Sequence, residues 1–130
     1  MAALQRSGWM DTGNGLRKGL LMRYHHIGIP TDEAHGGETY LPEFGLHVTS
    51  FEDSPFGVEW LRFESDSPLP ELVKTVPHVA FQVDDLDAAL DGHEVLIAPN
   101  SPSPGVTVAF IVHDGALIEF LEYEVGGDDV

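Results

Sequence analysis

Two stretches of this chain follow one pattern, and a chain that repeats a unit must build two similar pieces of structure from it. Pro77-His-Val-Ala-Phe-Gln-Val-Asp-Asp-Leu-Asp-Ala-Ala-Leu90 opens with a period-2 run in which Val79, Phe81 and Val83 share one face and His78, Ala80 and Gln82 the other. Asp84 or Asp85 then caps a helix that runs to Leu90, and Gly92 ends it. The earlier Tyr24-His-His-Ile-Gly-Ile-Pro-Thr31 sets His26 against His78, Ile27 against Val79, Gly28 against Ala80 and Ile29 against Phe81. Each copy therefore opens a strand with a histidine, on the face away from the helix.

After its helix the second copy continues with a strand from Glu94 to Ala98, a rigid loop Pro99-Asn-Ser-Pro-Ser-Pro-Gly105, a strand from Val106 to Val112, a hairpin turn His113-Asp-Gly115 and a last strand from Ala116 to Tyr123. Its order is β-α-β-β-β. In the first copy the strand Tyr24 to Ile29 leads into Thr31 to Gly45, which starts like a capped helix; Gly36, Gly37 and Pro42 make any helix there short or broken. Leu46 to Phe51 reads as a strand, Glu52 to Gly57 as a turn and Val58 to Phe63 as a strand, with Ser65 to Val76 joining the copies. The last strands also align: Val58-Glu-Trp-Leu-Arg-Phe63 lies over Ile118-Glu-Phe-Leu-Glu-Tyr123, with Glu59 opposite Glu119. Residues 1–21, glycine-rich and basic (Arg6, Arg17 and Lys18 against Asp11), read as an N-terminal extension outside the fold, and 125–130 as a frayed tail. The domain is thus 22–124, with its first unit at 22–65 and its second at 77–124.

Composition limits the chemistry. At 130 residues and 42% hydrophobic content the chain makes one domain with a modest core. It has no cysteine, which excludes disulfides, thiolate metal sites and a cysteine nucleophile. No apolar run reaches membrane-spanning length and no secretory signal opens the chain, so a cytoplasmic protein without a membrane partner is expected. The 22 acidic and 6 basic residues leave a formal charge of −16, which repels nucleic acid and anionic lipid. Lys18 and Lys74 are the only lysines. Acidity of this degree suits high salt, where screening relieves repulsion among carboxylates, and points to a halophilic protein. No Gly-x-Ser-x-Gly elbow, phosphate-binding loop or His-Glu-x-x-His helix is present.

A histidine on the first strand and a glutamate on the last strand of each of two β-α-β-β-β units resembles the vicinal oxygen chelate superfamily, the group of glyoxalase I, methylmalonyl-CoA epimerase, extradiol dioxygenases and bleomycin resistance proteins. The motifs are Pro-His-Val-Ala-Phe-Gln-Val-Asp-Asp-Leu and Ile-Glu-Phe-Leu-Glu, and the resemblance covers residues 22–124. It implies an α+β fold in which the two units form a curved-sheet cup. The divalent metal at the cup's floor would be held by His26, Glu59, His78 and Glu119, with Glu59 or Glu119 as the catalytic base. His26 to Glu59 spans 33 positions and His78 to Glu119 spans 41. The first unit is accordingly shortened, having lost a strand or most of its helix, and one wall of the cup with it.

The chemistry of these residues agrees with that ligand set. Two imidazoles and two carboxylates suit Zn²⁺, Ni²⁺, Co²⁺, Mn²⁺ or Fe²⁺, and the carboxylates neutralise a divalent ion. Gly28 and Ala80 lie on the ligand face and leave room above the ion. A carboxylate in such a site can act as general base while the metal polarises a substrate carbonyl. His25 faces opposite to His26, and Glu64 and Glu122 face opposite to Glu59 and Glu119 by the same period. His35, His47, His93 and His113 read as surface residues without paired partners, and Glu71 as solvated. The function expected is a glyoxalase-like metal-dependent lyase or isomerase acting on a small carbonyl compound. The alternatives are an extradiol-type dioxygenase using His26, His78 and one glutamate with Fe²⁺, and a metal-free small-molecule binding protein of the bleomycin resistance kind. Past residue 22 only Arg23, Arg62 and Lys74 are basic, which argues against glutathione or coenzyme A adducts. A homodimer is expected, since a half-open cup with apolar strand faces, Trp60 and Phe63 among them, offers surface for a partner.

Overall fold

The computed structural model describes Met10, Asp11 and residues 21–124; the rest of the extension and of the tail lies outside the described residues. Among the described residues nine strands and two five-residue α-helices make an α+β fold. Contacts divide the chain into two compact parts, one of His26–Val79 and the other containing residues 21–25 and 80–124. No helix among the described residues is long and apolar enough to cross a membrane.

The His26–Val79 part is built on β2 (Leu21–Pro30, from His26 onward), β3 (Thr39–Leu41), β4 (Leu46–Val48) and β5 (Val58–Phe63), in the order β3-β4-β5-β2. β5 runs antiparallel to β4 and parallel to β2, with Ile27 beside Val58 and Gly28 beside Glu59. Between Pro30 and Val58 the helical segments are 3₁₀ turns alone, at Pro42–Phe44 and Phe51–Asp53, beside β3 and β4, so the shortened unit keeps its strands and lacks its helix. The local reason is backbone chemistry. Gly37 sits at φ +84°, Pro42 opens a turn it cannot extend, and Gly45 closes that turn at φ +57°. A side chain at 45 would also meet the backbone of buried Ser67, whose hydroxyl donates to the Phe44 carbonyl at 2.6 Å. The connection after β5 contains α1 (Glu71–Thr75), a helix not foreseen from sequence; Val73 is its buried residue.

Side chains replace the missing helix as the fastening of this loop. Arg62 grips Glu38 with two hydrogen bonds, 2.7 and 3.0 Å, while His35 stacks on Trp60 with centroids 4.6 Å apart. Next to them Glu64 accepts from the Tyr40 hydroxyl and pairs with His47 at 3.2 Å. His35 and His47 are thus partnered and part-buried, contrary to the surface role expected for them. The Arg62 hydrogen bonds, seconded by the His35 amide, push the Glu38 carboxyl down to about 2. A carboxylate depressed below its unfolded value of about 4.3 stabilises the fold above that value and loses the contribution as pH falls through about 2. Glu38→Gln should therefore lower the urea midpoint relative to wild type at pH 6, with the gap closing between pH 4.5 and 2. A gap that is the same at pH 6 and at pH 2 would show that the pair contributes nothing through ionisation.

In the other part the strand order is β6-β9-β8-β7, for β6 (His78–Val83, from Ala80 onward), β7 (Glu94–Ser103), β8 (Val106–His113) and β9 (Ala116–Tyr123). β1 (Met10–Asp11) pairs with the start of β2. Asp85 caps α2 (Leu86–Leu90) by accepting from the Ala88 amide at 3.1 Å, and Glu122 accepts from the Leu86 amide at 2.7 Å. α2 covers a core of Val83, Leu86, Ala89, Ala109, Ile111 and Phe120, while Ala80, Val106, Val108 and Leu121 form a second cluster. The β8–β9 hairpin keeps one register from Val106–Tyr123 to His113–Ala116, turned by Asp114 and Gly115 at positive φ. The expected loop from Pro99 to Gly105 is instead mostly strand. β7 stays paired with β8 as far as Ser103, through three register shifts. It ends the strand order, so its prolines need no second ladder, and the bulges absorb their missing amides.

Candidate metal centre

Strand geometry brings three of the four expected ligands into one place. Along β2, His26 and Gly28 share a face, and the parallel register sets Glu59 beside Gly28. His26 is 4% exposed and His78, the first residue of β6, is 3% exposed. One donor atom from each of His26, Glu59 and His78 lies within 4.8 Å of the other two. Donors bound at about 2.0–2.2 Å to one tetrahedral ion stand about 3.3–3.6 Å apart, so closing on a metal draws these atoms together by up to about 1.5 Å.

Each donor is held differently. The His26 ring stacks on Phe51, centroids 5.4 Å apart, and its Nε2 lies 3.5 Å from Glu59 Oε1. Phe51 is presented by a 3₁₀ turn whose Ser50 cap accepts from the Glu52 amide. The His78 ring meets that of His26 edge-on at 5.5 Å, and its two nitrogens are buried without a hydrogen bond. It rests over Gly28: a methyl group there would overlap Cε1 and come within 2.6 Å of Nε2 and 2.8 Å of Nδ1. Glu59 is the most accessible of the three, its side chain 19% exposed against 5% for His26. Two imidazoles and one carboxylate are a donor set for borderline divalent ions, so the residues present fit such a metal.

The fourth expected ligand, Glu119, stands on β9 in the other compact part, buried and in register with Phe110. The residues set aside have other work. His25 shares a 3.0 Å hydrogen bond with the Tyr123 hydroxyl, Glu64 is held by His47 and Tyr40, and Glu122 serves α2. His93 and His113 lie ring to ring at 6.1 Å on the surface, and exposed Glu71 pairs with Lys74. Phe51 was not foreseen, because nothing local in the sequence marks a strand-end phenylalanine as the neighbour of a ligand twenty-five positions earlier.

No protein-family model and no curated protein matches this sequence. Among solved structures the chain is similar to a hypothetical protein from Bacillus halodurans C-125, with 20% identity and a TM-score of 0.59 over 83% of this chain and 99% of that one. It is also similar to methylmalonyl-CoA epimerase from Mycobacterium tuberculosis, with 20% identity and a TM-score of 0.53 over 78% of this chain and 87% of that one. At such identity the likeness is one of fold: this chain shares its fold with a methylmalonyl-CoA epimerase.

Proposed function

We propose that the chain is a vicinal oxygen chelate protein that holds a divalent metal through His26, Glu59 and His78 and moves a proton next to the carbonyl of a small molecule, as a glyoxalase-like isomerase or lyase. The observation that carries this reading is the approach of the three donors to within 4.8 Å of one another. A bound divalent ion would supply Lewis acidity, polarising the substrate carbonyl. The two buried histidines are imidazole donors, each with its ring fixed by a neighbour: Phe51 for His26 and Gly28 for His78. Glu59, less buried, is the carboxylate placed to take and return the carbon-bound proton. Glu119 belongs to the proposal as the fourth ligand or the alternative base, on the strength of its place in the repeat.

The substrate is small and uncharged. The name of the M. tuberculosis neighbour assigns it a coenzyme A thioester, and anionic carriers of that kind need cations. Here Arg62 is taken by Glu38, while Lys74 is occupied by the Ser67 carbonyl and Glu71. The test is exchange of α-hydrogen into a panel of neutral α-hydroxy and α-keto carbonyl compounds in D₂O, followed by NMR. Exchange that needs a divalent ion and stops with a chelator is expected. Tight binding of such compounds to metal-free protein without exchange would instead make the chain a sequestering protein. A homodimer in the cytoplasm is part of the same proposal, and sedimentation showing monomer alone would remove the dimer from it.

A second reading has its own observation. Two histidines and one carboxylate are also the set that leaves open positions on Fe²⁺ in oxygenases. Oxygen uptake with a catechol, dependent on Fe²⁺ and not on Zn²⁺, would select that reading.

A further inference from the structure

The geometry points to Gly28 as a positioning residue of the metal centre, a seat that holds the nitrogen-bearing edge of the His78 ring among the other two donors. This rests on the metal reading above and adds a residue to it. Gly28 takes no positive φ, so its backbone is one that any residue adopts. A glycine in a strand interior is unfavourable, since it gives up packing and costs conformational entropy. It is flanked by Ile27 and Ile29, residues that strands prefer. What a side chain at 28 would meet is the His78 ring, at Cε1, Nε2 and Nδ1. Gly28 is also central to the donors, two positions beyond His26 on the same face and register partner of Glu59. The absent side chain thus lets the His78 ring lie where its nitrogens reach His26 and Glu59. Any larger residue drives the ring away from them.

The experiment is a double-mutant cycle of Gly28→Ala and His78→Ala, read by Zn²⁺ affinity, by the visible spectrum of the Co²⁺ form and by the denaturation midpoint. Gly28→Ala alone should weaken Zn²⁺ by roughly 10–100-fold or more, the range seen when residues that orient ligands are lost, and should give the Co²⁺ spectrum of His78→Ala. In the His78→Ala background the same change should alter neither affinity nor spectrum, and the midpoint should hold or rise, because the space is empty. Wild-type affinity in Gly28→Ala, or an equal loss of stability in both backgrounds, would overturn the seat. If the wild-type protein binds no metal, the metal reading fails by itself. The midpoints still decide the seat: Gly28→Ala must destabilise the protein only when His78 is present.

Discussion

Replacement of His78 by alanine should weaken divalent-metal binding by at least about 100-fold, because loss of groups that merely orient ligands already costs roughly 10–100-fold. His78 is one of three donors in the cluster and is 3% exposed, so no bulk water stands ready to take its place. The vacated space lies over Gly28 and beside the His26 ring, which leaves His26 and Glu59 as a two-donor remnant. Calorimetric titration of chelator-stripped protein with Zn²⁺ measures the loss, and a circular dichroism spectrum like that of wild type separates it from unfolding. Affinity equal to wild type would remove His78 from the metal centre.

Glu59→Gln should divide binding from chemistry. An amide oxygen still coordinates, so the metal affinity should fall less than in His78→Ala. The amide cannot take up a proton, so α-hydrogen exchange should drop by about 10²–10⁴-fold, the range that a positioned general base contributes. The structural support is that Glu59 lies 3.5 Å from His26 Nε2 and is the most accessible of the three donors. Glu119→Gln is the matching experiment. If Glu119→Gln stops exchange and Glu59→Gln does not, the base is the carboxylate on β9.

The repeat made much of this legible in advance, for a physical reason: strands with one buried face write a period of two into the sequence. β5 and β9 have the expected limits, and Asp85 caps α2 as its position before an apolar run suggests. The same period placed His26 with Gly28, and His78 with Ala80, on their shared faces. It carries no information on register, and it is the pairing of Gly28 with Glu59 that sets the glutamate next to the histidines. Length had narrowed the first unit's defect to a strand or a helix. The structure settles it as the helix, since β3 and β4, only three residues each, fit in the short spaces that Gly37, Pro42 and Gly45 leave, β3 before Pro42 and β4 after Gly45. The fastening of that loop was invisible because Glu38–Arg62 and His35–Trp60 join residues 24 or more positions apart, with no local pattern to mark them. β7 was obscured by prolines, which weigh against a strand unless it lies at an edge.

The most direct measurement is the stoichiometry and affinity of divalent-metal binding to chelator-stripped wild-type protein, by calorimetry with Zn²⁺, Ni²⁺, Co²⁺, Mn²⁺ and Fe²⁺, beside the variant in which His26, Glu59 and His78 are all alanine. One ion per chain, bound at micromolar concentration or below by wild type and not by the triple variant, is the expected result. No binding by wild type, or equal binding by both proteins, would contradict a metal centre built on His26, Glu59 and His78.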